Sequence, residues 1–431
     1  MTTTVVTVTS RISGGCADAG DPAHGPDTER SGTLGYTRAM RALLATCFTM
    51  LAALPVVAAD EVFTISVATD RAAYQVGETV EILFTVANAS AEAQILPYPC
   101  PCCVHEMWIE NAFGEVVATE LQLACPQVTG EWRFGPFESR IFALHTWWQE
   151  PGDFPFPNPP QAETVPPGTY RVVVEWHSKG RTVSAPFVIC EGTCPEPRSL
   201  VLPAAGNNPG LHGAVWTTDL EMHSLGGGDA VVTMSLLAHG VGNPQPATRE
   251  VPVPNHGTRR LTNVLGEWFD HHGPAALHLE VRGGDVHISS RTFTTDDEGT
   301  YGQAVPAVPA SDARPRLLLP NLRHAAGEWR TNIGLVNLRP EMSSVRVVLH
   351  PRPAGGPAHP VDVVLAPYEY RQLNDVFAPF VDLPVLQGHA WVEVEPPGLV
   401  LAYASVVDNR SGDAVFTPGV PGSSPWAQVE N

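Results

Sequence analysis

Residues 166–178 read PPGTYRVVVEWHS, a turn followed by an unbroken strand-like run. Pro166, Pro167 and Gly168 break the chain direction, and Tyr, Val and Trp suit a pleated, half-buried surface. RTVSAPFVI at 181–189 follows almost at once, so the two segments predict a closing hairpin. The turn also fits a tyrosine corner, in which the Tyr170 hydroxyl bonds back to the main chain just upstream. A tyrosine at the edge of the core is the other reading of that residue.

The segments before it have the same character. EVFTISVAT at 61–69 alternates apolar and polar residues as a half-buried strand does, and YQVGE at 74–78 makes a turn. TVEILFTVANAS at 79–90 is a second strand, EMWIENAFGEVVATEL at 106–121 a hairpin around Gly114, and RIFALHTWWQ at 140–149 another strand. Seven or so short strands over roughly 130 residues predict an immunoglobulin-like sandwich spanning 60–192. VANAS, MWIENAFGEVV, FGPFESRIFALHTWWQ and GTYRVVVEW together make residues 62–188 resemble the BsuPI-type proteinase-inhibitor domain, a small immunoglobulin-like module. That resemblance implies binding to a protease and assigns no functional residue here.

Two further units follow and match each other. VWTTDLEMHSL at 215–225 aligns with EWRTNIGLVNL at 328–338, LTNVLGEWF at 261–269 with LNDVFAPFV at 373–381, and ALHLEV at 276–281 with AWVEVE at 390–395. The offset is nearly constant, which marks a tandem duplication of a whole β-sandwich. The expected fold is therefore all-β, with three consecutive β-sandwich domains at 60–192, 197–311 and 314–421 and a tail at 422–431. Trp216 and Trp329 occupy equal places in the two copies; each is expected in a sandwich core, with ligand stacking as the alternative.

At 431 residues the chain exceeds one hydrophobic core, and 42 prolines and 38 glycines scattered between short apolar runs suit many strands. A net charge of −20 repels nucleic acid and anionic membranes, so neither is an expected partner. From Met40 the sequence has the plan of a secretory signal: Arg41, an apolar run from Ala42 to Val57, and small residues Val57 and Ala59 before Asp60. Residues 1–59 are thus expected to be leader and signal peptide, with Met40 the true start. A secreted or periplasmic protein without a membrane span after cleavage is the implied product.

Cleavage before Asp60 leaves Cys100, Cys102, Cys103, Cys125, Cys190 and Cys194, an even set that favours disulfides in an oxidising compartment. Cys190 and Cys194 would close a small loop worth about 2 kcal/mol between the first two units. Cys125 could meet one of the 100–103 cysteines, with the pairing left open. Cys100, Cys102, Cys103, His105 and Met107 also offer soft donors to copper or zinc, although C-x-C-C with prolines at 99 and 101 is not zinc-knuckle spacing. A redox-active pair is a third reading. FDHHG at 269–273, TTDDEGTYG at 294–302 and DNRSGD at 408–413 are polar loops that a cation could visit; plain solvated turns account for them as well.

TWWQEPGDFPFPNPPQ at 146–161 is longer and richer in proline than a hairpin needs. Trp147, Trp148, Phe154 and Phe156 are its candidate binding surface. No nucleophile elbow, P-loop or dinucleotide fingerprint is present. The expectation is a non-catalytic binding protein without a cofactor, its partner a protein or an envelope component. A protease inhibitor and an exported copper- or zinc-binding protein are the alternatives.

Overall fold

In the strand Val80–Asn88, Val80, Ile82, Phe84 and Val86 are all fully buried while Glu81, Leu83 and Ala87 are not. That two-residue period is what a sheet with one covered face demands. The computed structural model describes residues 62–98, 104–121, 129–154, 163–176, 180–210, 213–295, 297, 299–352, 358–380 and 385–422. The expected leader and signal and residues 423–431 of the tail lie outside them. The fold is all-β, as expected.

The first region contains β1 (Phe63–Thr69), β2 (Ala73–Gln75), β3 (Val80–Asn88), β4 (Gln94–Tyr98), β5 (His105–Asn111) and β6 (Val116–Glu120). It continues with β7 (Gly130–Phe134), β8 (Ser139–Trp147), β9 (Gly152–Phe154), β10 (Gly168–Trp176), β11 (Gly180–Val183) and β12 (Phe187–Cys190). One sheet runs β1-β3-β8, a second β2-β12-β10-β5-β6-β9 with β11 beside β10, and β4 pairs β7. The β5–β6 hairpin turns at Gly114, whose φ of 81° a side chain would resist. Tyr170 is buried and its hydroxyl donates to the Pro166 carbonyl at 2.5 Å, so the tyrosine corner is formed. Cys190 and Cys194 are joined as a disulfide, and both sulfurs lie against the Tyr74 carbonyl, clasping the end of β12 to β2.

The next region holds β13 (Arg198–Pro209), β14 (Val215–Ala238), β15 (Thr248–Val253), β16 (Thr258–Leu261), β17 (Gly273–Thr295), β18 (Thr300–Pro306) and β19 (Val308–Pro309). The last holds β20 (Arg316–Ala325), β21 (Trp329–Asn337), β22 (Ser343–Arg352), β23 (His359–Leu365), β24 (Tyr370–Leu373), β25 (Val385–Val394), β26 (Val400–Asp408), β27 (Ala414–Pro418) and β28 (Val420–Pro421). Their pairings correspond. The second half of β14 lies between β15 and the first half of β17, which pairs β13 in turn; in the last region the order is β23-β22-β25-β20. The first half of β14 lies between β16 and the second half of β17, which pairs β18; the counterpart is β24-β21-β26-β27.

The two copies differ in how the chain passes between their ladders. β14 and β17 run through without interruption, with register shifts at Gly226–Ala230. Gly226, Gly227, Gly228 and Gly283 adopt positive φ there. In the last region turns interrupt the same passages, after Asn337 and at the Pro396–Pro397 bond. Buried side chains form one cluster in the first region and one in the last. The middle cluster also takes in Val336, Tyr370, Leu401 and Tyr403, so the two copies share apolar packing where they meet.

Candidate functional site

The junction between the two copies is built by their matching strands. The turn after β14 grips the last copy: Gly240 N–H donates to the Tyr370 carbonyl at 2.8 Å, and Asn243 donates to the Pro367 and Tyr368 carbonyls at 2.9 Å each. Beside this clasp the strands diverge around a cleft of about 720 Å³. Its walls carry Trp216 and Thr292 from one copy and Arg330, Asn332, Gln372 and Ser405 from the other, with Gln303 of β18 reaching across to accept from Ser405 Oγ at 3.0 Å. Clefts of this size between packed units are where small ligands usually bind.

The floor is a closed polar triangle. The Tyr370 and Tyr403 hydroxyls lie 2.8 Å apart, and each lies within 3.2 Å of Gln372 Oε1. Burial pushes the Tyr370 hydroxyl up to about 12 and Tyr403 well above its ordinary range, so both stay protonated donors. Arg330 is engaged with Asn409, and burial lowers its pKa against the pull of Asp375. Asp375 pairs with His324 at 2.9 Å. The site therefore carries the Arg330 guanidinium against a neutral amide and Asp375 against His324, among side chains that are otherwise mostly neutral hydrogen-bonding groups.

Neither predicted core tryptophan is a core residue. Trp216 is half-buried, with its indole nitrogen edge set against Gly210, and it lines both the cleft and a smaller recess of about 120 Å³ beside Asn409–Gly412. Trp329 is half-buried under the Arg323 guanidinium, 4.3 Å from its ring centre. The aromatic surface expected in the first region also needs correction. Trp147 and Phe154 are each 1% exposed. β8 places Trp147 among Tyr170 and Phe187, and β9, after the chain turns through Gln149 at φ 59°, returns Phe154 to the same core. Trp148 is half-buried, and Phe156 lies outside the described residues.

Cys100, Cys102, Cys103 and Cys125 also lie outside the described residues. His105 and Met107 share the inward face of β5, but Met107 is a fully buried core side chain, whereas His105 belongs to a polar cluster. Antiparallel pairing of β5 with β6 brings His105 and Glu120 to one end of the hairpin, and β8 contributes His145 from the facing sheet. Glu120 lies 3.3 Å from His105 Nε2 and 2.8 Å from His145 Nε2. Burial raises its pKa, but the two imidazoles outweigh that and hold it down to about 2. Among the described residues no group of three or more His, Cys, Asp or Glu side chains is arranged to hold a metal ion. The DNRSGD loop is closed on itself, with Asp408 N–H donating to the Asp413 carbonyl and accepting at its carboxylate from Arg410 N–H.

Among the described residues no helix is long and apolar enough to cross a membrane. No family model matches the chain. No curated protein matches it either. Among solved structures, a β-glucosidase from Listeria innocua in complex with isofagomine is 15% identical over 30% of this chain and 16% of its own, with a TM-score of 0.18. A Streptomyces avermitilis α-L-rhamnosidase complexed with L-rhamnose is 11% identical over 83% of this chain and 40% of its own, with a TM-score of 0.15. A Salmonella α-2-macroglobulin reacted with methylamine is 10% identical over 83% and 23%, with a TM-score of 0.18. The chain spans less than half the length of each of these proteins, and TM-scores this low bear on neither activity nor ligand.

Proposed function

We propose that this chain is a secreted, non-catalytic binding protein that takes its ligand in the cleft between the two related β regions. The observation that carries the reading is the composition of that cleft: about 720 Å³ walled mostly by neutral hydrogen-bonding side chains from both copies, with Arg330 and Asp375 among them. Its hydroxyls are not poised as nucleophiles. Thr292 Oγ1 is bonded to Thr218, and Ser405 Oγ to the Gln303 amide, so neither is set against an imidazole or carboxylate base. The first region then serves as a packed neighbour, tied to the middle one by the Arg171–Glu250 ion pair and by Thr169 Oγ1 donating to the Asp229 carbonyl at 3.3 Å.

The test uses the full chain and an Asn374→Trp variant, which places a bulky ring at the exposed cleft rim. Both are melted against short peptides, mono- to hexasaccharides and nucleotides, and assayed for turnover of ester, glycoside, phosphate and peptide substrates. A bound probe raises the melting temperature of the wild type and not of the variant. A probe that shifts both alike, or turnover of any substrate, would refute the reading.

A further inference from the structure

We infer that the cleft's ligand is a short, neutral oligosaccharide, stacked on Trp216 and held by side-chain amides. The inference rests on the cleft being a binding site. Charge comes first. The protein carries −20 overall, yet the cleft's Arg330 and Asp375 already have partners in Asn409 and His324. Arg330's partner is the neutral Asn409 amide, so an anion could reach its charge only against the −20 of the whole protein, and a cation would have to displace the His324 imidazole from Asp375; a neutral ligand meets neither obstacle.

The amides supply the recognition chemistry. Asn332 Oδ1 accepts from Asp375 N–H at 3.0 Å, Asn374 Oδ1 from Gln372 at 2.7 Å, and Gln303 Oε1 from Ser405 at 3.0 Å. In each case the oxygen is engaged by the protein, and the NH₂ group makes no hydrogen bond to the described residues. Asn208 has the opposite polarity: its NH₂ donates to the Pro209 carbonyl at 3.0 Å, leaving its oxygen as an acceptor. Donors and an acceptor around one cleft suit hydroxyls, which both donate and accept.

Trp216 supplies the apolar half. Its indole lies against Gly210, where even a methyl group would meet Nε1 at 2.4 Å. The ring is thus fixed while still lining the cleft and the recess beyond it. The C–H face of a pyranose is apolar and slightly positive, which matches the negative face of an indole. A peptide is the competing ligand, but extended peptides take main-chain bonds from an open sheet edge. β21 and β26, which carry Arg330, Asn332 and Ser405, are interior strands and offer only side chains, whereas β24 and β18, which carry Gln372 and Gln303, are edge strands, so the peptide is put to the test beside the sugars.

The experiment is calorimetric titration of the full chain with tetrasaccharides of the cello-, xylo-, manno- and chito- series, with tetragalacturonate, and with an uncharged tetrapeptide. At least one neutral tetrasaccharide is expected to bind and to alter tryptophan fluorescence. Trp216→Ala should weaken it about tenfold and Trp216→Phe less, the equivalent of one stacked ring. Asn374→Ala, at an exposed position, should weaken it a few-fold and decides the matter if Trp216→Ala does not fold. Binding of the peptide or of tetragalacturonate in preference to every neutral sugar overturns the saccharide and leaves the cleft as a binding site. Sugar binding that neither Trp216→Ala nor Asn374→Ala weakens overturns the placement in the cleft. Binding of no probe at all removes both readings.

Discussion

Gly334→Ala would insert a methyl group where the junction has no room for one. Gly334 sits within β21, paired to Gln372 on one side and Tyr403 on the other. Its Cβ would fall 1.9 Å from Tyr403 Cε1, 2.2 Å from Cζ and 2.6 Å from the hydroxyl. Two effects oppose each other. Alanine in a strand restricts the unfolded chain and alone would stabilise by about 0.5–1 kcal/mol. Against that, the Tyr403 ring, 1% exposed and stacked 5.2 Å from Phe416, must move. Overpacking costs about 1–3 kcal/mol and the disturbed hydroxyl triangle about 1 kcal/mol per bond. The clash wins, with a net loss of about 2–4 kcal/mol and a melting temperature lower by roughly 5–10 °C. Because Tyr403 also lines the cleft, its movement should weaken binding of the proposed ligand as well. Calorimetric melting with near-ultraviolet dichroism measures both stability and ring packing. Gly334→Ala should become neutral or stabilising in a Tyr403→Ala background, where no ring remains to collide. An unchanged melting temperature in the otherwise wild-type chain, or the same loss in both backgrounds, would refute the reasoning.

Tyr170→Phe removes the hydroxyl that satisfies the Pro166 carbonyl and should cost about 1 kcal/mol in chemical denaturation, with the native dichroism spectrum retained. Glu120 has a folded-state pKa of about 2, below its unfolded value, so its contribution is full above about pH 4.5 and is lost as pH falls toward 2. Glu120→Gln should therefore lower stability at pH 6 by about 2 kcal/mol and flatten the stability profile between pH 4.5 and 2; an equally steep profile in the variant would contradict the assignment. Replacing Cys190 and Cys194 together by serine opens the small loop at the end of β12 and should cost about 2 kcal/mol, read as the difference from the oxidised wild type under non-reducing conditions.

Local rules made much of the fold legible. β3 and β10 announce themselves because inward side chains recur every second residue, and the corner at Tyr170 could be read because a Pro-Pro-Gly turn positions it. The correspondence of the first half of β14 with β21 and of the first half of β17 with β25 was visible as matched segments, since equivalent inward positions keep similar residues. The cleft was not legible. Trp216 and Trp329 look alike in sequence, but only Trp216 faces the other copy, and that depends on how two copies lean together. Trp147 and Phe154 suggested a surface because their segment is rich in proline; the left-handed turn at Gln149, which sends β9 back into the core, leaves no composition signal. Glu120 and His145 were missed for a related reason. They join His105 only through the β5–β6 register and the stacking of β8 across it.

The uninterrupted β14 and β17 give the two copies unequal evolutionary freedom. At the bend, any side chain on Gly284 would strike the Gly228 carbonyl at 2.2 Å, and one on Gly283 the Asp229 carbonyl at 2.4 Å. Neither residue substitution nor added length can be absorbed there without parting the ladders. The last copy makes the same passages through turns at 338–342 and 395–399, where inserted residues would leave both ladders intact. The middle region is thus a fixed template and the last an adaptable one, facing each other across the same cleft. Insertions should accumulate at those two turns of the last copy and spare the bend of β14 and β17.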